Sequence, residues 1–297
     1  MWYTILKKVL DIRRPFSRVF ALMPTASKAA SPPVLLSIAG FDPSSGAGIT
    51  ADLAVFGAHH CFGTSAISVM TVQSTRGVAG VEESCPDLLG RTLAHLTEDL
   101  PPDGIKIGAL GSQKLAEKVF FLLGAFPSIP VVFDPVLLSS SGKPLFALED
   151  IPALKSGLLN RVSWITPNWA ELALLSGRPV GNREEAELAA DELAALFPKL
   201  NIVATGGDQK HPADLVRLFD GEKQWLEGEH IDSTSTHGTG CAFSSSLLAN
   251  LVLGQEPFTA ASNAKAFVTE AIRCAPRIGH GRGPLDLLWP LRQGSSA

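Results

Sequence analysis

The chain has 297 residues, of which 45% are hydrophobic and 18% are charged, and its formal net charge is -4. This composition supports a large buried core and excludes disorder over most of the chain. The weakly negative charge leaves no electrostatic footprint for nucleic acid, and no apolar run approaches the ~18 residues that a membrane span requires. We therefore expect a cytoplasmic protein with neither nucleic acid nor membrane as a partner.

Basic side chains dominate residues 1–30, where Lys7, Lys8, Arg13, Arg14, Arg18 and Lys28 stand against Asp11. The segment lacks the apolar region of a signal peptide. We interpret it as a basic extension of low order, or as sequence ahead of a true start at Met23, with a surface-seeking amphipathic helix as the alternative. Residues 31–297 are expected to form one domain. The cysteines form no CxxC pair, so reduced thiols are expected.

Short β-branched runs alternate with longer helical patterns from Val34 onward. The predicted strands are Val34–Ala39, Ser65–Val72, Gly104–Ile107, Val131–Phe133, Val162–Ile165 and Ile202–Ala204. The predicted helices are Ile49–His59, Asp87–Glu98, Gln113–Phe126, Glu171–Ser176, Glu184–Phe197, Gly240–Leu253 and Pro257–Cys274. Near-continuous apolar strands separated by helices indicate parallel strands that are covered on both faces.

Asp214–Phe219 and Gln224–Glu227 are joined by Asp220-Gly221, which predicts a hairpin at the edge of the sheet. The expected fold class is therefore α/β: a three-layer αβα sandwich with a mostly parallel central sheet and an antiparallel edge hairpin. Ligands of such sheets bind beyond the carboxyl ends of the strands, so the residues that follow each strand are the candidates for function.

The first strand is followed by a glycine-rich turn, Gly40–Gly48, which leads into a helix. Small residues let the backbone approach a ligand, and the helix start offers free N–H groups. The turn is neither a P-loop nor a dinucleotide fingerprint. Asp52 could turn its carboxylate toward the same pocket. A tight turn and a helix-dipole partner are the structural alternatives.

Gln73 ends the second strand and is followed by Ser74-Thr75-Arg76-Gly77. Its amide offers a donor and an acceptor side by side, which matches the ring nitrogen and amine edge of an aminopyrimidine. The alternative is an amide that bonds to the backbone of its own loop.

Later strands end in acids and amides. Asp134 ends one strand, and Asn168 with Glu171 follows another. The functional interpretation is a magnesium ion near a polyphosphate, which needs only one or two oxygen ligands from the protein. A capping box between Asn168 and Glu171 is the structural alternative. Thr205-Gly206-Gly207 after the sixth strand would then lie on the nucleotide side.

The segment Thr236–Cys241 carries the strongest signal, because two glycines expose consecutive N–H groups at the start of an apolar helix. Such a helix start can hold the negative charge of a transferring phosphoryl group. A cysteine at this position is expected to be partly thiolate and able to accept a proton. A glycine-rich turn with a packed cysteine is the alternative.

Six segments in this order resemble the hydroxymethylpyrimidine/phosphomethylpyrimidine kinases of thiamine biosynthesis, which belong to the ribokinase-like superfamily. They are Gly40–Gly48, Gln73–Gly77, Lys106–Gly108, Asp134–Val136, Thr166–Glu171 and Thr236–Cys241. The resemblance implies a ribokinase-like kinase domain over residues 31–297. It also implies ATP- and Mg²⁺-dependent phosphorylation of 4-amino-5-hydroxymethyl-2-methylpyrimidine, and then of its monophosphate. Because relatives form homodimers, the resemblance implies a homodimer as well.

The resemblance also implies roles for individual residues. The pyrimidine end comprises Gly40, Asp42, Asp52, Gln73 and Val136. The metal ligands are Asp134 and Glu171, and the nucleotide end comprises Asn168, Thr205, Gly206, Gly207 and Thr239. The catalytic set comprises Gly238, Gly240 and Cys241, with Cys241 where sugar kinases of the superfamily carry an aspartate base.

The chain departs from the family pattern at three places. Where the family usually has Lys-Gly-Gly-His, this chain has Thr205 and Asp208 on either side of the two glycines. Thr234 stands where the family often has lysine. Ala109 replaces a common methionine, which enlarges the pocket wall. The first two changes remove basic side chains near the phosphates and leave the second phosphorylation step open. The competing functions are a pyridoxal kinase, a non-catalytic pyrimidine sensor and a cysteine hydrolase that uses Cys241 and His237.

Overall fold

The computed structural model describes residues 31–138, 145–207, 209 and 212–293. The predicted basic extension over residues 1–30 and the predicted departure at Asp208 lie outside the described residues. The described chain from Pro32 onward belongs to one compact unit. Among the helices that the structure describes, none is long and apolar enough to cross a bilayer.

The strands form one nine-stranded sheet in the order β3-β2-β1-β4-β5-β6-β7-β8-β9. Their bounds are β1 Val34–Phe41, β2 Phe62–Ser74, β3 Gly77–Glu83, β4 Gly104–Ile107, β5 Val131–Phe133, β6 Trp164–Ile165, β7 Asn201–Ala204, β8 Ala213–Arg217 and β9 Lys223–Glu227. The six strands in the middle of this order, β2-β1-β4-β5-β6-β7, pair in parallel. At one edge β3 pairs antiparallel with β2, and at the other edge the β8-β9 hairpin pairs antiparallel with β7. The predicted sheet and its edge hairpin are confirmed.

Helices cover both faces of this sheet. Their bounds are α1 Gly48–Ala58, α2 Pro86–Asp99, α3 Gln113–Leu123, α4 Ile151–Leu158, α5 Trp169–Ser176, α6 Arg183–Leu196, α7 Thr239–Val252, α8 Pro257–Arg273 and α9 Trp289–Gln293. Alternate strand residues enter different cores: Val131 and Phe133 pack with α2 through α6, whereas Val132 packs with α7 and α8. Because both faces are buried, the central strands are mostly apolar, as the sequence indicated, with Ser37 of β1 and Lys106 of β4 as buried polar exceptions.

Sequence reasoning missed three elements, namely β3, α4 and α9. The strand β3 contains two glycines, Gly77 and Gly80, which weaken the strand pattern. It nevertheless forms because it pairs antiparallel with Val69–Ser74 along the edge of β2. The helix α4 has only eight residues and contains Gly157, which disfavours a helix when the sequence is considered alone.

The strand order reverses between β1 and β4, which pair in parallel with each other. From β1 the chain adds β2 on one side of the sheet, and from β4 it adds β5 on the other side. In sheets of this kind the crevice outside the carboxyl ends at such a reversal binds ligands. The loops after Phe41 and Ile107 flank this crevice. Asp134 follows β5 and Asn168 follows β6, whereas Cys241 lies in the first turn of α7.

Candidate active site

The glycine-rich turn after β1 is built around Asp42. One carboxylate oxygen accepts hydrogen bonds from the N–H (2.8 Å) and hydroxyl (2.7 Å) of Ser44. The other accepts one from the Ala47 N–H at 3.0 Å and lies 2.7 Å from Nε2 of His237. Burial opposes ionisation of Asp42, but the hydrogen bonds from His237 and Ser44 outweigh it and lower its pKa. Its oxygens are thus occupied by protein groups, so Asp42 shapes the turn rather than contacting a ligand as predicted.

His237 links this turn to Gln73. Its Nε2 atom lies 3.0 Å from Nε2 of Gln73, and the Gln73 amide oxygen accepts a hydrogen bond from the Thr71 hydroxyl at 3.1 Å. Its ring also covers Gly46, where an added Cβ would lie 2.3 Å from a ring carbon. His237 was given no role in the pocket predicted from the sequence, because only the folded chain brings its ring against this turn.

The loops after β1 and before α7 interlock through glycines. Gly48 (φ +62°) and Gly238 (φ +87°) both have backbone angles that favour glycine. A Cβ on Gly48 would lie 2.1 Å from the Gly40 carbonyl oxygen, and one on Gly238 would lie 1.8 Å from the Gly46 carbonyl oxygen. The two loops therefore fix each other, and Gly238 sets the direction in which α7 begins.

The start of α7 lies beside Asp134. The first helical bond runs from the Ala242 N–H to the Gly238 carbonyl at 2.9 Å, so the N–H groups of Thr239, Gly240 and Cys241 precede the ladder. Gly240 is exposed, and a Cβ there would lie 3.9 Å from Oδ2 of Asp134. A helix start and a carboxylate thus face one small open space.

Asp134 is buried at the end of β5. Its Oδ2 atom accepts a hydrogen bond from the Ser244 hydroxyl at 3.2 Å and lies 4.0 Å from Nζ of Lys106. Burial raises the pKa of Asp134, whereas the charge of Lys106 acts in the opposite direction. A carboxylate held in this way can attract a cation that accompanies a phosphate.

Asp52 does not face the pocket, and this corrects the sequence prediction. It has no exposed surface, and its oxygens accept hydrogen bonds from Nζ of Lys106 at 2.9 and 3.0 Å. The hydroxyls of Ser37 (2.6 Å) and Ser245 (2.7 Å) complete its surroundings. Asp52 therefore lies in the core below the crevice as half of a buried ion pair.

A family model described as phosphomethylpyrimidine kinase matches residues 42–286 of the chain. The chain belongs to this family. The hydroxymethylpyrimidine/phosphomethylpyrimidine kinase of Synechococcus elongatus is 35% identical over 260 residues, which cover 87% of this chain and 98% of that protein. The family resemblance that the sequence suggested is thereby confirmed.

Two solved structures show the same fold. The pyridoxal kinase of Staphylococcus aureus in complex with pyridoxal is 28% identical with a TM-score of 0.79, covering 87% of this chain and 94% of that one. The phosphomethylpyrimidine kinase of Clostridium difficile is 31% identical with a TM-score of 0.70, covering 81% and 99%. The predicted ribokinase-like fold class and kinase class are confirmed.

The capping box predicted as the structural alternative forms in this member of the phosphomethylpyrimidine kinase family. The Glu171 N–H donates to the Asn168 side chain at 2.9 Å, and the Asn168 N–H donates to the Glu171 carboxylate at 3.0 Å. The other Glu171 oxygen accepts a 3.4 Å bond from the Leu137 N–H. Glu171 therefore holds α5 and the chain after β5 in place, and the metal role predicted for it stays a prediction.

The predicted nucleotide loop of this kinase family member adjoins Asn168. Asn168 and Thr205 form an isolated bridge, and the Gly206 N–H donates to the Asp214 carboxylate at 2.9 Å. Gly207 is exposed, with nothing within 4 Å of an added Cβ. Of the predicted nucleotide residues, Thr239 alone lies elsewhere, at the start of α7.

The two remaining pyrimidine-end residues lie in different surroundings. Gly40 is buried, and a Cβ there would lie 2.9 Å from a methyl group of Val69. Val136 is partly exposed directly after Asp134, and its N–H donates to the Asp134 carbonyl at 2.8 Å. The small cavity beside Val136 is also lined by Gly108 and Phe146.

The prediction that Cys241 is partly thiolate is wrong. Burial raises the pKa of Cys241 to about 12, and the nearby carboxylates of Asp134 and Asp52 add to this, although Lys106 acts against it. A helix start lowers the pKa of a thiol, but burial and nearby negative charges raise it, and here the second effect is larger. Cys241 is therefore a neutral thiol at pH 7, and its thiol hydrogen bonds to Asp134.

Alkylation kinetics test this assignment. A variant with Cys61→Ala, Cys85→Ser and Cys274→Ser retains Cys241 alone. Because the pKa of Cys241 is raised to about 12, we expect its rate with iodoacetamide to be slow at neutral pH and to keep rising up to the highest pH at which the protein stays folded. A rate that levels off below pH 8 would show a thiolate and contradict the assignment.

Proposed function

We propose that the protein transfers the γ-phosphoryl group of ATP to the hydroxymethyl group of 4-amino-5-hydroxymethyl-2-methylpyrimidine, and then to the resulting monophosphate. One observation carries the proposal: the exposed Gly240, which precedes the first helical hydrogen bond of α7, lies beside the Asp134 carboxylate, 3.9 Å from its Oδ2 atom to an added Cβ. This is the charge arrangement that stabilises a phosphoryl group in transfer. Family membership supplies the substrate class.

The pyrimidine end of the site centres on Gln73 and His237. The half-buried Gln73 amide already meets the His237 ring, so a polar pair rather than a single side chain would contact an aminopyrimidine edge. Asp42 contacts the same ring nitrogen of His237, Nε2, at 2.7 Å. The role of Asp42 is therefore to orient His237, and Gly40 allows the close approach of β2.

The phosphoryl end of the site is provided by the first turn of α7. The N–H groups of Thr239, Gly240 and Cys241 would bind the transferring group, because a helix start carries partial positive charge. The neutral Cys241 thiol would position the reacting hydroxyl rather than remove its proton. Most of the catalysis would then come from alignment and charge stabilisation, as is usual for phosphoryl transfer.

The residues present fit a magnesium ion that is bound mainly through phosphate oxygens. Among the residues that the structure describes, no cluster of three or more His, Cys, Asp or Glu side chains could hold a metal. Magnesium accompanying a nucleotide commonly uses one or two carboxylates of the protein and several waters. Asp134 is the candidate ligand, and magnesium would there neutralise phosphate charge. Asn168, Thr205, Gly206 and Gly207 would line the nucleotide side. We also propose a homodimer in the cytoplasm.

Steady-state kinetics with three acceptors test the function. We expect ATP-dependent turnover of the pyrimidine alcohol and its monophosphate, and not of pyridoxal. Gln73→Leu should raise the pyrimidine KM about 5- to 150-fold, equivalent to about 1–3 kcal/mol for an unpaired polar edge, and leave the ATP KM unchanged. Gln224→Leu, on the exposed strand β9, is the matched control. Turnover of pyridoxal alone, or equal changes in both KM values, would refute the assignment.

A further inference from the structure

Lys106 is a fully buried cation at the centre of the framework that carries the site. It belongs to β4, and it has no exposed surface. Its Nζ atom lies 2.9 and 3.0 Å from the two oxygens of Asp52 and 4.0 Å from Oδ2 of Asp134. Burying an ammonium group is costly unless carboxylates compensate it, and here two carboxylates share one cation.

The same cluster joins the elements that form the crevice. Asp52 lies on α1 and accepts hydrogen bonds from Ser37 of β1 and Ser245 of α7. Asp134 follows β5 and is bonded by Ser244, also of α7. The neighbouring serines Ser244 and Ser245 thus connect the helix that starts at the anion-binding turn to both carboxylates around Lys106.

We propose that Lys106 is a positioning residue, which holds the Asp134 carboxylate against the start of α7 in the orientation that phosphoryl transfer requires. The proposal rests on the function proposed above. A stabilising role alone would not need a charge here, since apolar side chains of similar volume often serve a core as well as or better than an ion pair. A stability role also does not explain why Lys106 lies between the buried Asp52 and Asp134, the carboxylate beside the start of α7.

A charge-removal series separates positioning from stability. Lys106→Met leaves Asp52 and Asp134 buried without their cation, so it should lower the melting temperature strongly or prevent folding. The double variant Lys106→Met/Asp52→Asn removes the ion pair as a unit, and the introduced amide retains hydrogen-bonding groups for Ser37 and Ser245. We expect the double variant to regain most of the thermal stability that the single variant loses, because Nζ lies 2.9 and 3.0 Å from the oxygens of Asp52 and only 4.0 Å from Asp134, the carboxylate that stays without its cation.

Activity should not return with stability. In the double variant we expect kcat about 10²-fold below wild type, the cost of a catalytic group misplaced by about 1 Å, with the pyrimidine KM little changed. Arg217→Met is the matched control: it removes the half-buried β8 partner of Asp191, close to one edge of the sheet, and should leave kcat unchanged. Recovery of kcat together with stability would overturn the proposal. A double variant that stays unstable would overturn it too, because the pair would then be required for folding itself.

A crystal structure of the double variant gives a readout that does not depend on turnover. We expect the backbone of β5 and α7 to superpose on wild type, while the Asp134 carboxylate turns away from Ser244. An Asp134 that keeps its bond to Ser244 would overturn the positioning role even if the protein proved to act on another substrate. Absence of turnover by wild-type protein with the pyrimidine would instead refute the proposed function.

Discussion

Replacing Asp134 by asparagine is expected to lower kcat by about 10²–10³-fold, the usual effect of losing one preorganised electrostatic group. Asparagine keeps the volume and an oxygen for the Ser244 hydroxyl, which lies 3.2 Å from the carboxylate. It removes the negative charge that would hold a cation beside the phosphates. We therefore expect a folded protein whose turnover falls and whose magnesium requirement rises. Rates measured over a range of magnesium concentrations, together with thermal melting, check both effects.

Glu171→Gln is the matched acid-to-amide control. Both oxygens of Glu171 accept backbone N–H bonds, one from Asn168 at 3.0 Å and one from Leu137 at 3.4 Å. An amide can satisfy only one of these acceptor positions. We expect a loss of stability of about 0.5–2 kcal/mol, typical of a lost helix cap, and little change in kcat per folded molecule. A fall in kcat equal to that of Asp134→Asn, at an unchanged melting temperature, would instead support the metal role predicted for Glu171.

The sheet and the location of the site could be predicted because both follow from local patterns. Apolar β-branched runs separated by helical patterns specify parallel strands, and ligands of such sheets bind at the carboxyl ends. The capping box could also be predicted, since Asn168 and Glu171 are three residues apart. The edge strand β3 could not, because its glycines weaken the pattern and its formation depends on pairing with β2.

The charges of the site could not be predicted from the sequence, because they depend on partners far along the chain. Asp52 and Lys106 are 54 residues apart, and only the folded sheet shows that they neutralise each other. The same buried cluster reverses the expectation for Cys241, since a helix start alone predicts a lowered pKa whereas burial and two carboxylates raise it. His237 was missed for the same reason: its contact with Asp42 spans 195 residues.

Gly240→Ala is expected to abolish most of the activity without harming the fold. An added methyl group would lie 3.9 Å from Oδ2 of Asp134, an ordinary contact distance, in the open space where the phosphoryl group would bind. Alanine also favours a helix over glycine by roughly 0.5–1 kcal/mol, so the melting temperature should be equal or slightly higher. Measured kcat should fall by at least about 10²-fold, as for other disturbed oxyanion sites.

Gly238→Ala is the matched comparison, because the same methyl group two residues earlier has no room. Its Cβ would lie 1.8 Å from the Gly46 carbonyl oxygen, and the backbone angle of +87° at Gly238 disfavours alanine independently of the space. We expect this variant to melt at a clearly lower temperature or to be insoluble, since the interlocked loops must separate. Melting curves and kcat per folded molecule distinguish the two effects. A Gly240→Ala variant that is stable and fully active would show that the space beside Asp134 is not where phosphoryl transfer occurs.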